Sequence, residues 1–367
     1  MIKKISNIFR DGIYFDQYLF ISITLLSAMG LVFLFSASQG NVETTIKQSI
    51  FVIFGLVLML LVSQPDPDFY KNNALAFLLI SLFLLLLTAF TGKEINGAKR
   101  WLDLGFFTLQ SSEIIKISLP IFLAAYLFNK SLPISLKNTL ISILLILIIA
   151  NIVRIQPDLG TSLVILIAGL YVLFLAGLSW RFIGASSAIF VLSLPYIWNN
   201  FLEPFQRQRI LTLFEPNADP YGSGWNITQS KIAIGSGGFQ GKGYQQGSQA
   251  HLDFLPETET DFIFSVIAEE FGFLGVCVLL SVFLFILIRC LYLALNARDR
   301  FCRLTIGGLS LLFLSTIFIN LAMVIGIIPV VGMPLPFISK GGSSLLSFYI
   351  AFGIIISMAT HKKLMRR

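Results

Sequence analysis

The residues best suited to chemistry lie in an acidic segment just before an apolar stretch. It reads LPETETDFIF over residues 255–264. Asp261 is its last acid. A carboxylate partly desolvated by apolar neighbours has a raised pKa, which suits a general base near neutral pH. Thr258-x-x-Asp261 also fits a capping box, in which an acid stabilises the start of a helix. A helix beginning here would place Asp261, Ser265 and Glu269 on one face. The catalytic and capping interpretations both remain open.

A second pair of charges lies inside another apolar stretch. Glu113 and Lys116 are three residues apart, so in a helix their side chains share one face. Ionisable groups are costly in such a setting. The pair either neutralises itself or lines a polar pocket. The pocket is favoured because apolar residues would be less costly there.

Two arginines, Arg207 and Arg209, lie in the polar segment that precedes the acidic one. Guanidinium groups make bidentate contacts with phosphate, which would suit a diphosphate ligand. The alternative is a helix at a membrane surface whose cations extend toward the lipid headgroups. The sequence does not decide between the two.

Glycines cluster at residues 235–243, GSGGFQGKG, with Lys231 and Lys242 close by. The segment does not match a phosphate-binding P-loop, because a required glycine is missing and no Ser or Thr follows Gly-Lys. Consecutive glycines would still let backbone amides approach an anion closely. A tight turn explains the same residues, so an anion site here is a prediction beside that alternative.

Further polar residues occur at predicted helix starts. Asp158 follows a proline in QPDLG, residues 156–160, where an acid is an ordinary turn or helix-cap residue. Ser343 and Ser344 follow two glycines, a start that permits close packing or approach of a ligand. The two histidines of the chain are far apart in sequence, so no histidine metal site is predicted.

The elements that must position these residues are membrane helices. Hydrophobic residues make up 56% of the 367 residues and charged residues 12%, whereas soluble proteins are about 25% charged. The mean hydropathy is +0.84. The apolar residues fall in blocks near the ~20 residues that cross a bilayer. We predict an all-α integral membrane protein of one domain, residues 1–367, with about ten spans at residues 18–38, 46–63, 74–90, 111–128, 138–155, 160–178, 182–199, 262–289, 304–328 and 342–360.

The connections between spans predict the orientation. Only the loop between the seventh and eighth spans, residues 200–261, is long. Basic residues in short loops mark the cytoplasmic side. That side is predicted to carry Lys3, Lys4, Arg10, Lys71, Lys130, Lys137, Arg181, Arg298, Arg300, Arg303, Lys362, Lys363, Arg366 and Arg367, and the other side Lys47, Lys93, Lys99, Arg100 and Lys340. Both termini are then cytoplasmic and the long loop is outside. The net charge of +7 is read as a topology signal, not as a nucleic-acid surface.

Nearly the whole chain resembles the shape, elongation, division and sporulation family of lipid-linked peptidoglycan polymerases. Within the long loop, the similarity is carried by residues 219–238, 241–243, 247–249 and 254–264. The short motif GSQ at residues 247–249 is closer to the elongation branch. Elsewhere the matching residues are Arg100-Trp101, Ser112-Glu113 with Lys116, residues 156–161 and residues 341–344.

The resemblance implies a fold and an activity. It implies ten membrane helices and a glycosyltransferase that polymerises lipid II at the outer face of the bacterial cytoplasmic membrane. Asp261 matches the acid regarded as catalytic, and Glu113 and Lys116 match a pair in the central cavity. The implied partners are undecaprenyl-diphosphate-linked glycan, membrane lipid, a class B penicillin-binding protein and other membrane proteins of the elongation complex.

The leaving diphosphate would need cations around it. The candidates are Arg207, Arg209, Lys231 and Lys116, and the wider set of predicted substrate-binding residues adds Arg100, Lys242, Asp158, Glu113, Ser343 and Ser344. No cofactor follows from the sequence, although a divalent cation such as Mg²⁺ or Mn²⁺ could share the role of the cations.

Three positions depart from the pattern of the family. Ser111 replaces a usual proline, Glu259 stands where histidine is frequent, and Lys340 stands where an aromatic residue is common. A second acid at Glu259 would alter the field at Asp261. Two other functions remain as alternatives: a transporter that flips lipid II, and a scaffold that only orients a penicillin-binding protein.

Overall fold

The computed structural model describes residues 14–95, 98–103, 105, 108–215, 222–252 and 254–361. The predicted charges in residues 1–13 and 362–367 and the family motif at residues 219–221 lie outside these residues. The helices in chain order are α1 (Gln17–Ala37), α2 (Val42–Ser63), α3 (Pro67–Asn72), α4 (Ala74–Thr91), α5 (Ser111–Leu127), α6 (Leu136–Ile155), α7 (Leu159–Leu175), α8 (Trp180–Asn200), α9 (Pro204–Phe214), α10 (Ser223–Ser236), α11 (Ser248–His251), α12 (Ile263–Leu295), α13 (Arg300–Ile325) and α14 (Gly342–Thr360).

Eight of the described helices are long and apolar enough to cross a membrane, namely α1, α2, α4, α6, α8, α12, α13 and α14. Helices α5 and α7 have 17 residues each, slightly fewer than a full span needs. Helix α5 also contains Glu113 and Lys116, which lower its apolar character. With these two, each of the ten predicted spans is a helix in the structure. The predicted all-α membrane fold is therefore confirmed.

A small antiparallel sheet that the sequence did not predict connects α4 to α5. Its strands are β1 (Lys93–Ile95), β2 (Ala98–Asp103) and β3 (Thr108–Gln110), in the order β1-β2-β3. Strand β2 packs against α4 and α5, and β3 packs against α14. The sheet thereby holds Arg100 and Trp101 over one end of the helix bundle.

The core of the bundle is formed by α13 and α14. In their most apolar stretches 67% and 78% of residues are buried, whereas in α8 none is. Phe313 of α13 packs edge-on against Phe352 of α14, with ring centroids 5.0 Å apart. Helix α8 therefore lies at the periphery of the bundle, while α13 and α14 fix its centre.

Four connections that the sequence assigned to the cytoplasmic side meet at one end of the bundle. The Arg298 guanidinium lies 3.1 Å from a carboxylate oxygen of both Asp66 and Asp68. Arg300 donates to the carbonyl oxygen of Ala176 (2.9 Å) and to that of Lys130 (2.5 Å). The charges that define this side are thus together in space.

Helix α12 is broken near its start, and the glycine cluster fills the break. Gly272 has φ 63° and ψ −161°, a conformation essentially restricted to glycine. The Phe273 and Leu274 amides donate to the carbonyl oxygens of Gly238 (3.0 Å) and Phe239 (3.2 Å). In return, the Lys242 amide donates to Glu269 O (3.0 Å). These bonds favour the tight-turn interpretation of residues 235–243, because the segment is used to complete the kink.

Replacing Gly272 by alanine should destabilise the fold by about 2 kcal/mol or more, because of backbone strain and a clash. A Cβ atom there would lie 2.3 Å from the Gly241 nitrogen. The melting temperature of the purified chain in detergent measures the effect. Gly184→Ala is the matched control, since nothing lies within 4 Å of its Cβ. Equal melting temperatures for the two variants would contradict this account of the kink.

Candidate active site

A cavity of about 1060 Å³ opens at the end of the bundle opposite the Arg298 cluster. It is enclosed by the acidic segment, strand β2, the starts of α7 and α14, helix α9 and residues 332–334. Of the predicted site residues, its lining includes Asp261, Glu113, Arg100, Arg209, Asp158, Ser343 and Ser344. Residues from distant parts of the sequence therefore converge on one polar cavity at the predicted outer end.

The backbone around Asp261 is fixed from two sides. Asn320 of α13, which is fully buried, donates from Nδ2 to Asp261 O (2.9 Å) and to Met333 O (2.6 Å). The Ser339 hydroxyl donates to Thr260 O (2.6 Å). These bonds use peptide carbonyls only, so they hold the segment in place and leave the Asp261 carboxyl group facing the cavity.

The pKa of Asp261 is raised to about 7, with burial as the largest cause. The nearby Glu257 carboxylate and a hydrogen bond with it add to this increase, while Arg209 opposes it. The side chain keeps a partial opening to the cavity, but protein atoms make up most of its surroundings. A carboxyl group with a pKa near neutral pH can accept a proton from a hydroxyl and return it to solvent.

The capping-box interpretation of Asp261 is wrong. Helix α12 begins at Ile263, two residues later, and its N-cap has no side-chain hydrogen bond. The Thr258 hydroxyl donates instead to the Ala37 carbonyl oxygen (3.2 Å). The predicted helical face is absent as well, because Ser265 bonds the Ser230 hydroxyl (2.7 Å), away from the cavity.

Two arginines supply positive charge to the cavity. Arg209 of α9 donates to Val330 O (3.1 Å). Arg100 of β2 donates to Gln156 O (3.2 Å) and to Pro157 O, and it lies 3.9 Å from the Asp158 carboxylate. Asp158 is also the N-cap of α7. The turn at residues 156–158 thus serves as a cap and as the anchor of Arg100.

The structure places three predicted substrate-binding cations outside the cavity. Arg207 donates to Leu202 O (3.0 Å) and Asn199 O (2.9 Å) at the end of α8. Lys231 lies beside Gly326, at the C-terminal end of α13, where the helix dipole stabilises a cation. Lys242 contacts Glu269 (2.6 Å), which is fully buried. Each of these cations has a structural contact that the sequence pattern alone did not show.

Glu113 lies in the lining of the cavity and is paired with Lys116. The Lys116 ammonium lies 2.6 Å from Glu113 Oε1, and the side chains are 3% and 6% exposed. Ser347 of α14 donates to Glu113 Oε2 (2.9 Å). Glu113 lines the cavity, and Lys116 lies behind it near Phe348. The self-neutralising pair and the polar pocket are therefore compatible descriptions of one feature.

Glu259 and Lys340, which both depart from the pattern of the family and line the cavity, contact each other. The Lys340 ammonium forms an ion pair with Glu259, and the Lys340 amide donates to Glu259 O (2.8 Å). The charge of Glu259 is thus balanced locally. Just beyond, α14 starts at Gly342 without a side-chain cap, and its first residues line the cavity. Its free amides add a positive end there.

Three contributions to the site were missed from the sequence: the direct influence of Glu257 on Asp261, the support from Asn320, and the Glu259–Lys340 pair. Asn320 is the one amide side chain in the span 304–328, and this was the available signal for its role. In the part of the chain that the structure describes, no group of three or more His, Cys, Asp or Glu residues is arranged to hold a metal ion.

Removing one member of the Glu113–Lys116 pair should lower stability by about 3–5 kcal/mol, because the other charge is left buried and unpaired. The double variant Glu113→Gln with Lys116→Met should recover most of the lost melting temperature. Thermal unfolding in detergent measures both. If the double variant is no more stable than Lys116→Met alone, the pair does not act as a neutral unit.

Comparisons with known proteins assign the chain to a family. The profile of the cell cycle protein family that contains FtsW, RodA and SpoVE matches residues 16–364. The chain is 41% identical over 362 residues to the peptidoglycan glycosyltransferase MrdB of Escherichia coli K12, covering 98% of this chain and 97% of that protein. It is 31% identical over 421 residues to the peptidoglycan glycosyltransferase RodA of Treponema pallidum, covering 94% and 97%.

Two solved structures share the fold. A chain of a peptidoglycan synthase complex superposes with a TM-score of 0.85 at 31% identity, covering 95% of this chain and 99% of that one. The crystal structure of the rod-shape-determining protein RodA of Thermus thermophilus gives a TM-score of 0.71 at 29% identity, covering 93% and 95%. Profile, sequence and fold agree over almost the whole length, and the chain therefore belongs to the FtsW, RodA and SpoVE family.

Proposed function

We propose that this chain is a peptidoglycan glycosyltransferase that polymerises lipid II during cell elongation, with Asp261 as its general base. Its relatives MrdB and RodA are named peptidoglycan glycosyltransferases. The observation that carries the role of Asp261 is its position in a polar cavity at the bundle end, with a pKa near 7. A base of this strength suits proton removal from a sugar hydroxyl as the oxygen attacks.

The reaction is a single displacement. The Asp261 carboxylate takes the proton from the acceptor hydroxyl of one lipid II. The oxygen forms a bond to the anomeric carbon of the growing lipid-linked glycan, and the bond from that carbon to undecaprenyl diphosphate breaks. One displacement inverts the anomeric centre and needs no covalent sugar–enzyme intermediate. The carboxylic acid then returns its proton to the water of the cavity.

The leaving diphosphate gains charge as the bond breaks, so cations beside it stabilise the transition state. Arg209 and Arg100 line the cavity that contains Asp261. The start of α14 adds backbone amides and the Ser344 hydroxyl on another wall. These groups replace Arg207, Lys231 and Lys116, which do not line the cavity, as the proposed diphosphate ligands. The Ser343 hydroxyl donates to Thr108 O (2.7 Å) and accepts from the Gln110 amide (3.1 Å), so it holds β3 against α14.

The proposed location is the bacterial cytoplasmic membrane, with both termini inside and the cavity at the outer surface. Basic loops gather at the opposite end of the bundle, which supports this orientation. The proposed partner is a class B penicillin-binding protein. The similarity to a chain of a peptidoglycan synthase complex supports it.

Asp261→Asn should abolish polymerisation of lipid II by the purified chain with its partner, because the base is lost while size is kept. Gel analysis of the glycan product measures this, and the melting temperature reports folding. Glu43→Gln, an exposed acid paired with Lys47, is the control and should keep full activity. Polymer formed by a folded Asp261→Asn variant would refute the assignment. Lipid flipping by that same variant, without polymer, would be compatible with it.

Glu257→Gln should move the rise of activity to lower pH. Glu257 raises the pKa of Asp261, so removing its charge lowers that pKa. Because the base must be deprotonated, the wild-type rate should increase as the pH rises through about 7, and the rate of the variant should increase earlier. Initial polymerisation rates across this range measure both profiles. Superimposable profiles would show that Glu257 does not control the base.

A further inference from the structure

A second cavity, of about 640 Å³, adjoins the first and has no role in the reaction described above. The two cavities share the lining residues Trp101, Lys340, Gly341, Gly342 and Ser343. Asp261 lines the first. The second has the volume of an ordinary small-molecule site. Its position against the wall of the first cavity means that a ligand held there would end close to the reaction centre.

The lining of the second cavity suits a phosphorylated sugar. Its lining includes the ammonium groups of Lys47 and Lys340, the Asp103 carboxylate and the Thr44 hydroxyl. Lys340 is paired with Glu259 of the acidic segment. Lys47 pairs with Glu43, but the two side chains are 69% and 76% exposed. Such an exposed pair is weak, so the ammonium group is available to a stronger anionic partner.

The start of α14 adds a second source of positive potential. This 19-residue helix has no side-chain cap of its own at Gly341, whose amide donates to Gln48 Oε1 (3.4 Å). Gly341 and Gly342 lie in the wall between the cavities. The first amides of a helix attract phosphate groups. The two lysines and the first amides of α14 therefore contribute positive potential to the same cavity.

Polymerisation requires places for two diphosphates. The leaving diphosphate must lie beside the reacting carbon, hence in the first cavity with Arg209 and Arg100. The acceptor brings only its hydroxyl to Asp261, and its own diphosphate stays at the far end of its sugars. We propose that the second cavity binds the diphosphate–sugar head of the acceptor lipid, with Lys47 and Lys340 as its cations. This inference rests on the proposed function.

Lys340 is the point at which the two sites meet. Its side chain is 45% exposed, it lines both cavities, and it is held by Glu259 of the acidic segment. The ammonium group is therefore placed to contact the acceptor where its sugars pass from the second cavity toward Asp261. The ion pair with Glu259 thus holds the Lys340 ammonium at the point where the two cavities meet.

Binding stoichiometry tests the proposal without turnover. The full chain with Asp261→Asn, in nanodiscs with its partner, should bind two lipid II molecules as counted by native mass spectrometry. Adding Lys47→Glu should reduce this to one. Lys99→Glu is the matched control, an exposed lysine on β2 outside both lining sets, and it should leave two. One lipid in the parent, or two after Lys47→Glu, overturns the proposal.

Kinetics separate this inference from the proposed function. In the active chain, Lys47→Glu should raise the lipid II concentration for half-maximal rate about tenfold, the loss expected for a charge-assisted contact, with little change in maximal rate. Thr44→Trp, which fills the cavity without changing charge, should also raise the lipid II concentration for half-maximal rate. It replaces Lys47→Glu as the test if Lys47→Glu lowers the melting temperature. Normal kinetics in both variants, with Asp261→Asn inactive, would defeat the second site alone. Polymer from Asp261→Asn would instead defeat the proposed base.

Discussion

Removing a carboxylate from water favours its protonated form. The fold holds Asp261 in such a largely buried position at the wall of the cavity. Burial and the neighbouring Glu257 raise its pKa, and Arg209 only partly opposes them. The contacts that fix the segment, from Asn320 and Ser339, bind peptide carbonyls. The fold thus determines where the carboxyl group lies without neutralising it, and the capacity to take a proton is preserved.

Two other buried acids, Glu113 and Glu269, each form a close ion pair with a lysine. Glu113 is paired with Lys116, and Glu269 is paired with Lys242, each at 2.6 Å. Glu269 also accepts from backbone amides of the outer loop. These pairs connect elements to one another, and their charges are cancelled. The contrast with Asp261, whose cation Arg209 acts from the cavity wall, separates acids that hold the structure from the acid proposed to act on substrate.

The sequence predicted the membrane helices well, because block length and apolarity are local properties that a bilayer constrains directly. It also predicted Asp261, Arg209 and Glu113 at one end of the bundle, and in the structure they line one cavity. It could not assign each cation to a site. Arg207 and Lys242 look as suitable for phosphate as Arg209, but their partners at the end of α8 and in α12 are known only once the chain is folded.

Long-range contacts were the other limit. Glu259 and Lys340 were separate anomalies in the sequence, 81 residues apart, and the structure makes them one ion pair. The sheet at residues 93–110 has strands of three to six residues, too short for an alternating pattern to stand out. The capping box failed because the match between Thr258 and Asp261 depended on a helix that begins later.

The protonation of Asp261 in the folded chain is the quantity that decides the account. Infrared difference spectroscopy of the carboxyl stretch, on the purified protein in nanodiscs, can follow it across the pH range, with Asp261→Asn as the blank. The account predicts a protonated carboxyl band that is absent from the variant and disappears with a midpoint of about 7. A band that titrates near the ordinary aspartate value of about 4 would contradict it.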